Sequence, residues 1–155
     1  MTLSYSWLCD YLPEHFTADE LSKILTSVGL EVENIEEKES IKGSLQGLVI
    51  GQVIACEAHP NADKLKCTKV DIGSGELLSI VCGASNVAAG QKVIIATVGT
   101  KLYPTIGEPF EIKKAKIRGE ESTGMICAED EIGLGTHHEG IIILPDEVAI
   151  GTLAK

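Results

Sequence analysis

The chain has 155 residues, of which 44% are hydrophobic but only 4% aromatic, and its formal net charge is −10. No apolar run approaches the roughly 20 residues that span a bilayer, and residues 1–5 carry no basic leader before an apolar block, so neither a membrane partner nor a secretory signal is expected. What remains is one medium domain, or one domain plus part of another, with a core built from Ile, Val, Leu and Ala, a composition suited to β packing.

The acidity is uneven. Between residues 48 and 127, nine Lys and Arg stand against eight Asp and Glu, while the flanks hold four against fifteen. The total argues against nucleic acid, because phosphate binding rests on Lys and Arg. The near-neutral middle leaves room for a local basic face. The cysteines, Cys9, Cys56, Cys67, Cys82 and Cys127, are widely spaced in apolar stretches without a C-x-x-C pair. They read as buried, reduced thiols of a cytosolic protein rather than disulfides or metal ligands.

In chain order, residues 4–11 predict a short helix that Pro13 ends. Thr17-Ala18-Asp19-Glu20 is a capping box, followed by Leu21, Ile24, Leu25 and Val28 at helical spacing and Gly29 as the C-terminal cap. Residues 30–35 alternate as a strand, and the charged stretch 36–44 is a linker. Two helices and one strand bury too little surface to fold alone, so this front piece is expected to dock on the rest of the chain or on residues beyond it. From residue 48 the pattern changes to short strands over 48–56, 66–72, 77–81, 92–97, 110–117 and 140–144, with a short helix over 125–132 and a loop over 133–140. Gly51 marks a bend, His59-Pro60-Asn61-Ala62-Asp63 a stiff polar hairpin tip in which Asn61 and Asp63 bond local backbone, and Gly73-Ser74-Gly75 a tight turn. Such a series predicts a small closed barrel or sandwich.

Three further stretches have binding chemistry. In Ile80-Val81-Cys82-Gly83-Ala84-Ser85-Asn86-Val87, free backbone amides and Asn86 suit a phosphate or a base edge, or else form a barrel turn closed by Asn86. In Lys113-Lys114-Ala115-Lys116-Ile117-Arg118-Gly119, strand alternation puts Lys114, Lys116 and Arg118 on one face and Ala115 and Ile117 on the other. That face either tracks a nucleic-acid backbone or is simply solvated. In Glu120-Glu121-Ser122-Thr123-Gly124-Met125, two hydroxyls and a glycine suit a ribose or phosphate. Catalytic patterns are lacking: there is no P-loop, no dinucleotide glycine fingerprint and no Gly-x-Ser-x-Gly. His137 and His138 are adjacent and diverge in an extended segment. Tyr103 and Phe110 are almost the only aromatics available for base stacking.

His59-Pro60-x-Ala62-Asp63-Lys64-Leu65, Ile80-Val81-Cys82-Gly83-Ala84-x-Asn86 and Lys116-Ile117-Arg118-Gly119-x-x-Ser122-x-Gly124-Met125 together resemble the tRNA-binding domain of the endothelial monocyte-activating polypeptide type. Ser85 departs from the proline of many relatives. Ser6-Trp7-Leu8, Leu21, Leu25 and Gly29-Leu30-Glu31-Val32-Glu33 resemble the start of the bacterial phenylalanyl-tRNA synthetase β subunit, and Ile150-Gly151-Thr152 its re-entry into the front module. The resemblance implies a mainly β chain with flanking α, in which an OB-fold barrel is inserted into an incomplete N-terminal α/β module. It divides the chain into residues 1–40 of that module, a linker over 41–47, the barrel over 48–146 and a truncated return over 147–155. It further implies a cytoplasmic α2β2 enzyme that joins phenylalanine to its tRNA using ATP and Mg2+, with the adenylation site on the catalytic α subunit. This segment then carries no catalytic residue, metal or cofactor of its own, and its partners are tRNA, the α subunit and the remainder of the β subunit. Carried over residue by residue, Asn86, Arg118, Ser122 and Met125 face the RNA, with Lys64 and Lys116 nearby. The alternatives are a stand-alone dimeric tRNA-binding protein and a protein-docking barrel without nucleic acid.

Overall fold

The structure, a computed structural model, describes residues 1–39, 41–43 and 45–154. Of the expected linker, Ser40 and Ser44 lie outside the described residues, as does Lys155 at the end of the expected return segment. The chain forms two compact units, Met1–Lys38 and Glu39–Lys155.

In the first unit, α1 (Tyr5–Cys9) is capped by Ser4 and α2 (Ala18–Ser27) by Thr17. The capping box forms as its sequence predicts: the Thr17 hydroxyl accepts from the Glu20 N–H, and the Glu20 carboxylate accepts from the Thr17 N–H at 2.9 Å. Those bonds hold the Glu20 pKa below the usual carboxylate range, the backbone bond being the larger cause. At the other end the Leu30 N–H reaches the Leu25 carbonyl and the Gly29 N–H reaches that of Thr26, with Gly29 at φ 94°. This six-to-one and five-to-two pair is a Schellman stop. Residues 30–35 are not a strand, contrary to their alternation. Among the described residues they find no neighbouring strand, and an isolated strand leaves its ladder bonds unmade.

In the second unit, β1 (Leu48–His59) and β2 (Ala62–Asp71) form a long hairpin, followed by β3 (Leu77–Cys82) and β4 (Lys92–Thr97). The ribbons β5 (Lys101–Leu102) with β6 (Phe110–Glu111), and β7 (Ala115–Ile117) with β8 (Glu120–Ser122), lead into β9 (Gly124–Ile126), and β10 (Ile143–Leu144) comes last. The main sheet runs β10-β4-β1-β2-β3, and β9 also pairs β4. β1 serves two partners. Its first residues pair β4 as far as Gln52↔Lys92, and from Gln52↔Asp71 onward it pairs β2. Gly51 sits at this switch, where a Cβ would come within 2.8 Å of Val70 Cγ1 and 3.1 Å of the Asp71 carbonyl. The expected bend is therefore a close approach that only glycine permits. The sheet closes where Thr123 N–H donates to the Ser79 carbonyl of β3 at 2.8 Å, and where Ser122 Oγ accepts from Val81 N–H at 3.1 Å. The strand cycle β1-β2-β3-β9-β4 is a five-stranded barrel of the OB type.

β4 explains how the barrel is filled. Val93 and Ile95 point into the barrel with Val53, Val70, Ile80 and Ile126, while Ile94 and Ala96 join a second core with Leu48, Leu102, Ile112 and Cys127. Both faces are buried, as the continuous apolar run of this strand requires. Neither core contains an aromatic residue, in line with the composition.

Two expected elements differ. The strand over 110–117 divides into β6 and β7, because Ile112 turns into the second core and bonds Thr100 instead. The helix over 125–132 is absent. Met125 and Ile126 instead pair with β4 at Ala96↔Met125 and Ile95↔Ile126, and Cys127 N–H continues to the Ile94 carbonyl. The open edge of β4 outweighs the local helical pattern. Within the expected return over residues 147–155, residues 149–154 run beside β1: Gly151 N–H donates to the Ile50 carbonyl, Ile50 N–H to that of Thr152, and Ala154 N–H to that of Leu48.

Candidate nucleic-acid interface

The barrel brings two hairpin tips together. The first joins β1 to β2, with His59 paired to Ala62 and only Pro60-Asn61 between them. Neither central residue has positive φ. The tip is therefore not one of the primed turns that match strand twist, and a register shift at Ala58/His59 absorbs the mismatch. The second tip joins β7 to β8, with Ile117 paired to Glu120 across Arg118-Gly119. Here φ is 49° at Arg118 and 101° at Gly119, the type I′ pattern that favours Asn-Gly or Asp-Gly. An arginine in that conformation is strained by about 1–2 kcal/mol.

His59 links the tips. It is buried, at 5% exposure, and both ring nitrogens are used. Nδ1 accepts the Asn61 N–H at 3.0 Å, so Nε2 carries the hydrogen and donates to the Ile117 carbonyl, also at 3.0 Å. Asn61 Nδ2 donates to the Arg118 carbonyl at 3.3 Å. Asn61 was expected to bond its own hairpin through its side chain, and instead it reaches the other one.

The residues picked from the sequence separate into two groups. Lys64, Lys116 and Arg118 are exposed, and among the described residues their side-chain cations have no hydrogen bond or ion pair. Lys113 has the same character, whereas Lys114 is paired to Glu121. Arg118 sits in the turn rather than on a strand face with Lys114 and Lys116, and Ala115 is exposed rather than inward. Asn86, Ser122 and Met125 are engaged by the protein itself, Asn86 while exposed, Met125 half-buried and Ser122 buried. The Asn86 amide bonds both sides of Ile141, donating to its carbonyl and accepting its N–H, each at 3.0 Å. Ser122 is 4% exposed and donates to the Gly124 carbonyl while accepting the Val81 N–H. Met125 packs against the second core.

Sequence reasoning missed Lys66, whose ammonium donates to the Ser85 and Val87 carbonyls at 3.0 and 2.9 Å and holds the loop after β3. It also missed the bridge from His59 to Ile117. Both join residues far apart in the chain, and no local pattern signals them. The thiols offer no reactive group in the cores. Burial raises the Cys82 pKa and pushes that of Cys127 up to about 12, so both stay protonated. All five cysteines are free, but only Cys82 and Cys127 are buried as expected, while Cys9, Cys56 and Cys67 are half-buried. His138 Nδ1 pairs with Asp130 at 2.8 Å. Among the described residues, no group of three or more His, Cys, Asp or Glu side chains is placed to hold a metal ion, and no helix is long and apolar enough to cross a membrane.

A barrel with cations at its first hairpin tip and at the loop before its last strand has the layout of an oligonucleotide-binding domain. A model of the family described as "Putative tRNA binding domain" matches residues 48–153, and the chain belongs to that family. It is 61% identical over 155 residues to the phenylalanine–tRNA ligase beta subunit of Bacteroides thetaiotaomicron, covering 100% of this chain and 19% of that protein. It is 50% identical over 151 residues to the same subunit of Nitratidesulfovibrio vulgaris, covering 97% of this chain and 18% of that protein. The chain thus spans about a fifth of the length of these relatives. The crystal structure of the MetRS related protein from Pyrococcus horikoshii shares the fold, with 23% identity and a TM-score of 0.51 over 76% of this chain and 96% of that one.

Proposed function

We propose that this chain is the tRNA-contacting and architectural part of a phenylalanine–tRNA ligase β subunit, and that the two joined hairpin tips are its contact. The 61% identity along all 155 residues carries the assignment. The unpaired cations of Lys64, Lys116 and Arg118 support the choice of surface. Their place is at the phosphates, where three cations give salt-sensitive contact of modest strength. Ser122 and Met125 support that surface from within, while Asn86, itself exposed, holds its loop through both backbone groups of Ile141. On this reading the whole enzyme charges tRNA(Phe) with phenylalanine in the cytoplasm as an α2β2 assembly, ATP and Mg2+ act on the α subunit, and this segment supplies no catalytic group. Residues 1–40 begin an α/β module that the remainder of the β subunit completes, residues 41–47 link it to an inserted barrel over 48–146, and 147–155 begin the return. The exposure of Trp7, Tyr11, Ile24, Val28 and Leu30 supports an incomplete module.

The test is Lys116→Glu with Arg118→Glu in the assembled enzyme. Loss of two phosphate contacts weakens tRNA binding at low salt and lowers the slope of log affinity against log salt by about two, while amino-acid activation with ATP stays intact. Unchanged tRNA charging overturns the contact. It favours a protein-docking barrel instead, a reading that the net charge of −10 supports.

A further inference from the structure

We propose that His59 and Asn61 are positioning residues: together they fix the backbone on both sides of Arg118 and so aim its guanidinium at RNA, an inference that rests on the reading of the two tips as the tRNA contact. The Ile117 carbonyl belongs to the peptide plane before Arg118, and the Arg118 carbonyl to the plane after it. The first accepts from His59 Nε2 at 3.0 Å and the second from Asn61 Nδ2 at 3.3 Å. Two peptide planes that meet at one Cα define its φ and ψ, so the first hairpin sets the conformation of Arg118 from outside.

That conformation needs an external hold. Its φ of 49° is one that an L-residue with a side chain rarely adopts. Glycine, asparagine or aspartate would satisfy the turn without help. An arginine kept in such a position, with its cation unpaired, is the kind of outlier that marks a functional site. The donors are fixed in turn. Asn61 N–H orients the His59 ring through Nδ1, Pro60 restricts the backbone between them, and the ring is shielded from water. Gly119 completes the turn through its φ of 101°, a conformation that side-chain-bearing L-residues rarely adopt. The conspicuous His-Pro-Asn tip thus contributes no charge to RNA and acts by holding a residue 57 positions further along the chain.

The test uses the full-length protein with Asn61→Leu, Arg118→Ala and both together, titrated with bulk bacterial tRNA over a range of salt. Asn61 is exposed, so the fold tolerates the change, and Asn61→Ser provides a second truncation compatible with a turn. Asn61→Leu removes no charge, yet it is expected to weaken binding about threefold to tenfold. It should also lower the slope of log affinity against log salt by about one, as loss of one phosphate contact does. In the Arg118→Ala background it should change nothing further. The proposal is overturned if Arg118→Ala weakens binding while Asn61→Leu leaves affinity and slope unchanged, or if the double variant loses the product of the two single effects. If Arg118→Ala alone leaves affinity and slope unchanged, the tRNA contact fails at Arg118 and the positioning role fails with it.

Discussion

In the Glu39–Lys155 unit, β4 buries Val93, Ile94, Ile95 and Ala96 on both of its faces. In the Met1–Lys38 unit, α2 carries an equally regular apolar stripe, yet Leu21 is the one residue of it that is buried, while Ile24 and Val28 are exposed. The helix nonetheless has a complete capping box and a Schellman stop. Caps and periodicity specify a helix locally, whereas burial requires a partner of sufficient area. Helices of five and ten residues are shorter than the roughly 12–15 that persist alone in water. The barrel has that area within its own sequence, and the front unit does not.

The largest break in this contrast comes from the barrel core. Ile95→Ala should destabilise the Glu39–Lys155 unit by about 2–5 kcal/mol, whereas Ile24→Ala in the exposed part of the α2 stripe should stay within about 0.5 kcal/mol. Urea unfolding of the two variants measures the difference. Next is an alkaline effect confined to the barrel. The Cys127 pKa of about 12 in the folded state lies above the ordinary thiol value, so the neutral thiol stabilises the fold. That contribution is complete below about pH 8.5 and is lost as pH rises toward 12. The melting temperature of the wild type should therefore fall more steeply above about pH 9 than that of Cys127→Ala, and parallel curves would remove the thiol from the account. The smallest effect is local. Thr17→Ala should cost α2 about 1 kcal/mol and speed amide exchange in residues 18–27, with the barrel's melting unchanged.

The same contrast explains how much was legible in the sequence. β1 to β4 and the Thr17 box could be read because alternation, β-branched residues and capping side chains act within a few positions. Residues 30–35 alternate just as well and form no strand, since a strand depends on a neighbour. Residues 125–132 look helical, yet Met125 and Ile126 join β9 because β4 offers an open edge. At the candidate site, exposure and charge could be anticipated for Lys64, Lys116 and Arg118. The roles of Asn86 and Ser122 could not, since their partners, Ile141 and Val81, are 55 and 41 residues away. The left-handed turn at Arg118 goes against local preference, and nothing in Ile117-Arg118-Gly119-Glu120 predicts the His59 and Asn61 bonds that accompany it.

The closing bonds of the barrel also bear on the order in which it folds. Thr123 and Ser79 are 44 residues apart, whereas β1, β2 and β3 join through short turns. Loop closure grows more costly with length, slowly but without return until the contact forms. The β1–β2–β3 meander can therefore assemble first, and the seam between β3 and the β8–β9 corner comes late. Until it forms, β3 and β9 each present an unpaired edge, and such edges template pairing with other chains. Ser122 and Thr123, which began as candidate contacts for RNA, thus determine how long the nascent barrel remains open to aggregation.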